Sequence, residues 1–184
     1  MQPIKIVAIP TEVANAVRET MRAPVFGFPA HKETATDAAP CRHCLRMTIP
    51  QVDDAILFTY DRFAGVESLP QPGPVYVHAK NCARYDADAG FPEELRGSPR
   101  TLEAYARGRR LLAQEYVADG EFEPAIEKLL AHPNVDYLQV NSTTLAVSPS
   151  ALSVPPLPER SPGDSGSLPY SRSPSIAALC FFSS

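Results

Sequence analysis

The stretch TLEAYARGRRLLAQEYVADGEFEPAIEKLLAHPNVDYLQV, residues 101–140, decides the fold class. Leu102 and Ala104 alternate with polar neighbours, Arg107-Gly108 supplies a turn, and Leu111 to Val117 returns, the pattern of a β-hairpin. Asp119-Gly120 breaks the chain. Between Glu121 and Ala131, Phe122, Ile126, Leu129 and Leu130 share one face of a helix, with Pro124 tolerated in its first turn. His132-Pro133 stops that helix, because the residue before a proline is pushed out of the α region. Val135 to Val140 then reads as a strand.

Working back toward the N-terminus, Ile4 to Ile9 is an apolar run suited to a strand that Pro10 ends. Thr11 is placed to cap a helix in which Val13, Ala16, Val17 and Met21 recur at helical spacing. Residues 23–40 read as an extended loop. Ile56 to Tyr60 and Val75-Tyr76-Val77 read as strands, separated by a loop over Asp61 to Gly73. Residues 86–100 are again loop. Together these segments predict an α+β fold: a single domain over residues 1–141, with a mainly antiparallel sheet and two helices. Residues 142–184 are dominated by Ser and Pro and have no periodicity. Such a composition buries too little apolar surface to offset ordering entropy, so this segment is expected to be a disordered C-terminal tail.

The 184 residues and 44% apolar content suffice for one real core, while 20 prolines argue for many loops. Net charge is −4 and the isoelectric point about 5.6. A general nucleic-acid binder needs a basic footprint, so nucleic acid is not an expected partner. The one compact basic run, Arg107-Gly108-Arg109-Arg110, has no aromatic stacking platform in sequence beside it and reads as a solvated turn. Met1 to Pro10 lacks the layout of a signal peptide, and Ile176 to Phe182 falls far short of the roughly 20 residues that span a bilayer. Cys180, fifth from the end, does not fit a prenylation pattern. The expectation is a cytoplasmic protein with no membrane partner, whose unknown partner is a protein or a small molecule.

The chemistry concentrates in Cys41-Arg42-His43-Cys44 and, much later, His78 and Cys82. Two thiols two residues apart wrap a metal ion at a tight knuckle, and a His and a Cys four positions apart close a tetrahedron. Cys41, Cys44, His78 and Cys82 therefore read as a Cys₃His site for Zn²⁺. Leu45 stands where such a knuckle usually has glycine, and Cys82 is placed at the start of a short helix. Two other readings stay open. Cysteine is a small hydrophobe that favours cores, and His78 at a strand end can simply bond to backbone. Alternatively, the Cys-x-x-Cys pair cycles between dithiol and disulfide in a redox or metal-dependent enzyme, with Arg42 and His43 lowering a thiol pKa. Asp61, Asp86 and Asp88 offer carboxylates near loops, yet Asp is also a turn residue. His31 and His132 are expected at the surface. No Gly-x-Gly-x-x-Gly, phosphate loop or serine nucleophile elbow is present.

Several of these motifs occur together in a known order. Pro40 to Arg46, the run LFTYDRF at 57–63, the strand Pro72 to His78, Thr101 to Val117 and Val135 to Leu138 resemble a bacterial family of unknown function, DUF1203. The resemblance spans about residues 4–141. It implies no activity. It does imply an ending with an Asn-containing turn, a Gly-Cys pair and a final strand, from which this sequence departs after Asn141. Ser142 to Ser148, STTLAVS, can be encoded so that a shifted frame reads His-Asn-Pro-Gly-Cys-Phe. On that reading residues 142–184 are a frameshift product.

Overall fold

The computed structural model describes residues 4–66 and 69–142 and the backbone of a strand at 178–182. The chain is α+β, as expected, with strands β1 (Lys5–Val7), β2 (His31–Thr34), β3 (Asp54–Asp61), β4 (Pro72–His78), β5 (Arg100–Tyr105), β6 (Leu111–Val117), β7 (Tyr137–Ser142) and β8 (Ala178–Phe182). Helix α1 covers Thr11–Thr20 and helix α2 covers Phe122–Leu130. Two sheets replace the one sheet expected: a five-stranded sheet in the order β1-β8-β7-β5-β6, and a three-stranded sheet β2-β3-β4. All pairs are antiparallel except the two that β8 makes, with β1 and with β7.

Each sheet has its own core. In the larger sheet Leu102, Ala104, Leu138 and Val140 face Phe122, Ala125, Ile126 and Leu129 of α2. Burying each large side chain there contributes about 1.5 to 3 kcal/mol. Phe91 stacks on Phe122 with ring centres 4.1 Å apart. In the smaller sheet Ile56, Phe58, Val75 and Val77 pack with Ile9 and Val17, and Cys41 and Cys44 belong to this core. Phe63, Tyr105 and Tyr137 form a third cluster where the β3–β4 loop meets the larger sheet.

Three local expectations are corrected. Residues 23–40 are not all loop, because His31–Thr34 pairs with β3 as an edge strand. Its sequence, His-Lys-Glu-Thr, has the charged character that protects an edge and hides the strand from an apolar pattern. The residue before α1 is Pro10, whose carbonyl accepts Ala14 N–H at 3.1 Å, so Thr11 is the first helical residue rather than the cap. Cys82 starts no helix; residues 79–85 are irregular.

The expected tail is tested only at its end. Residues 143–177 lie outside the described residues, but Ala178–Phe182 is a strand, so the segment is not irregular throughout. Among the described residues no helix is long and apolar enough to cross a membrane.

Candidate metal centre

The Cys41–Cys44 turn is a knuckle built by backbone bonds. Cys41 N–H donates to Arg46 C=O at 2.9 Å, and Leu45 N–H donates to Cys41 C=O at 2.8 Å. Leu45 takes the left-handed conformation, φ +58°, where glycine would be free of strain. A side chain there costs about 1 to 2 kcal/mol. Leu45 is buried in the core of the larger sheet, a gain of similar or greater size. The knuckle is tied down on every side: Arg42 N–H donates to Tyr76 C=O, Ile9 N–H to Arg42 C=O, and Tyr85 N–H to His43 C=O.

The other two residues follow β4. His78 ends that strand opposite Ala55, and Ala79 N–H donates to Asp54 C=O, which aims the next residues back over the knuckle. One ligand atom each from Cys41, Cys44, His78 and Cys82 then lies within 4.8 Å of the others. Cys41 Sγ is 3.9 Å from Cys82 Sγ, and Cys44 Sγ is 3.4 Å from His78 Nδ1. Tetrahedral bonds of zinc to sulfur and nitrogen place ligand atoms about 3.3 to 3.8 Å apart. All four sequence candidates therefore converge as a group that could hold a metal ion.

Around them stands a shell that sequence spacing does not show. Arg18 of α1 donates from Nε to His78 C=O at 3.1 Å and from a terminal nitrogen to Cys82 Sγ at 3.3 Å. His43 Nδ1 lies 3.3 Å from the same sulfur, while its Nε2 lies 3.1 Å from Thr11 Oγ1. Burial first, and then the charge of Arg18, pull the His43 pKa down, so the ring is neutral. A neutral ring in this setting donates from Nδ1 to sulfur and accepts the Thr11 hydroxyl at Nε2. His78 N–H donates to Cys41 Sγ at 3.3 Å. On the far side of the His78 ring, Nε2 is 3.8 Å from the Asp53 carboxylate. A carboxylate behind a ligating imidazole is the usual outer partner of such a ligand.

The bare side chains already divide their protons unequally. Hydrogen bonds from Cys44 and then Cys82 hold the Cys41 thiol far below its ordinary range, while contact with Cys41 and then Cys82 drives Cys44 up. Contact with Cys41 first, then Cys82, pushes His78 up to about 10. The cluster is thus poised as thiolate beside imidazolium. Binding a metal ion would displace those protons.

The cluster is not sealed. A cavity of about 190 Å³ is lined by Cys44, His78 and Cys82 with Arg46, Asp53 and Lys80. A larger one of about 570 Å³ also reaches Cys44 and Cys82, and is bounded by Arg84 and Tyr85.

The remaining sequence candidates find structural duties. Asp61 Oδ1 accepts the N–H groups of Phe63 and Gln71, closing the base of the β3–β4 loop. Asp86 Oδ1 accepts Asp88 N–H in a tight turn. His31 and His132 are exposed, as expected. The basic turn is not simply solvated: Arg109 lies 5.2 Å over the Phe63 ring and donates to Leu69 C=O, and Tyr137 donates to Gly108 C=O.

Compared with known proteins, the chain matches one family model, described as "Protein of unknown function (DUF1203)", over residues 38–146. That span holds all four residues of the cluster and more than half of the chain. No curated protein and no solved structure matches.

Proposed function

The chain belongs to the DUF1203 family, and we propose that it is a small zinc-stabilised binding module without catalytic chemistry of its own, working in a reducing compartment such as the cytoplasm. Cys41, Cys44, His78 and Cys82 are the ligands in this reading. The observation that carries it is the convergence of four ligand atoms from two distant segments within 4.8 Å. Charge supports it. Three thiolates and a neutral imidazole around a divalent ion leave one net negative charge, and the Arg18 guanidinium stands against Cys82 to balance it. Zinc takes thiolate and imidazole together in this stoichiometry. The ion would clamp the knuckle to the end of β4 at the core of the smaller sheet. A protein or small-molecule partner is the remaining part of the reading.

Elemental analysis of the folded, reduced chain purified without chelator is expected to give about one zinc per chain. Less than about a tenth of that overturns the reading. Chelation is expected to lower Tm, because the ion's binding energy is then lost from folding.

A further inference from the structure

We propose that Cys82 is the oxidation-sensitive thiol of this chain and that a hydroperoxide joins it to Cys41. The consequence for metal rests on the zinc reading above, whereas the thiol chemistry rests on the protein's own geometry. Cys82 is only partly buried, whereas Cys41 and Cys44 are buried. It sits in the irregular segment after β4, facing both cavities. Arg18 and His43 both meet its sulfur at 3.3 Å. Access decides which of these three thiols meets a peroxide first, and Cys82 is the accessible one. Cys41, with its sulfur 3.9 Å away and no exposure, is placed as the resolving thiol. The sulfurs must approach to about 2.0 Å. Cys82 can make that movement while the knuckle keeps its backbone bonds.

The steps balance. The Cys82 thiolate attacks one peroxide oxygen; an S–O bond forms, the O–O bond breaks and hydroxide leaves. The Cys41 thiolate then attacks the Cys82 sulfur; an S–S bond forms, the S–O bond breaks and a second hydroxide leaves. Two sulfurs lose one electron each, and the peroxide gains both. The joined pair no longer supplies two anionic ligands, so a bound zinc ion is left with Cys44 and His78 and is released.

The test uses the full reduced chain with its four cysteines. Hydrogen peroxide is added to the zinc-loaded protein, zinc release is followed with a chromogenic chelator, and disulfides are mapped by mass spectrometry. The expected result is release of the bound zinc in step with a Cys41–Cys82 disulfide. In the metal-free chain, iodoacetamide is expected to label Cys82 at least about tenfold faster than the buried Cys41 or Cys44. A Cys41–Cys44 disulfide, one through Cys180, or faster labelling of Cys44 overturns the proposal. If the purified chain carries no zinc but peroxide still yields the Cys41–Cys82 bond, this proposal stands and the zinc reading alone falls.

Discussion

Leu45 shows two effects of opposite sign at one residue. Its left-handed backbone would be relieved by glycine, a gain of about 1 to 2 kcal/mol. Its buried side chain would be lost, and large-to-small core changes cost about 2 to 5 kcal/mol. Lost burial outweighs relieved strain, so Leu45→Gly is expected to destabilise the protein by a net of roughly 1 to 3 kcal/mol in urea unfolding. A stabilised variant would show that backbone strain dominates. Asp53 acts at a different distance, behind His78. Asp53→Asn is expected to weaken zinc affinity about 10- to 100-fold in competition with a chelator, leaving the fold intact by circular dichroism. Cysteine and histidine spacing makes all four cluster residues legible, because ligand pairs lie close in sequence. Arg18 and Asp53 are not legible, since they reach the cluster from α1 and from the approach to β3. In sequence, His43 stands out only as a modifier of its neighbours' thiols; the fold turns it instead toward Cys82, with Thr11 behind it.

Among the elements, the apolar strands and the amphipathic α2 are legible in sequence to within one to three residues of their ends; β4 departs furthest, beginning at Pro72 inside the expected loop. The hairpin of β5 and β6 falls where the alternation over residues 102–117 places it. The polar β2 escapes because its stability comes from pairing with β3, a tertiary effect that composition does not carry. Division into two sheets is equally hidden, for β2, β3 and β4 pair with one another although β1, which precedes them, belongs to the larger sheet. The turn at Arg107 to Arg110 gains meaning only in this context. Its Arg109 is engaged with Phe63 and Leu69, beside the aromatic cluster that joins loop to sheet. Arg109→Ala is therefore expected to cost stability, about 0.5 to 2 kcal/mol, rather than affinity for nucleic acid. Micromolar duplex binding at physiological salt, lost when Arg107, Arg109 and Arg110 become Ala, would contradict this.

At the scale of the whole molecule, the larger sheet depends on its last strand. β8 lies between β1 and β7 and is the strand partner that β1 has in this sheet. We propose that the domain proper ends near Asn141 and that residues 142–184 stem from a one-base deletion, with Ala178–Phe182 taking a strand position the shifted ending would have filled. Codons at Ser142 to Ser148 that are incompatible with the shifted reading would end that proposal. Removal of residues 143–184 is expected to lower stability by about 2 kcal/mol or more, hence Tm by about 4 to 8 °C, since several ladder bonds go at once. An unchanged Tm would show that β8 contributes nothing. The arrangement also imposes an order in time. β8 is made about 10 to 35 s after β1 at ordinary rates of synthesis. The cluster residues, all between 41 and 82, are available long before that. The half of the protein around the knuckle can thus assemble on the ribosome, while β1 must wait for β8 before its edge is covered.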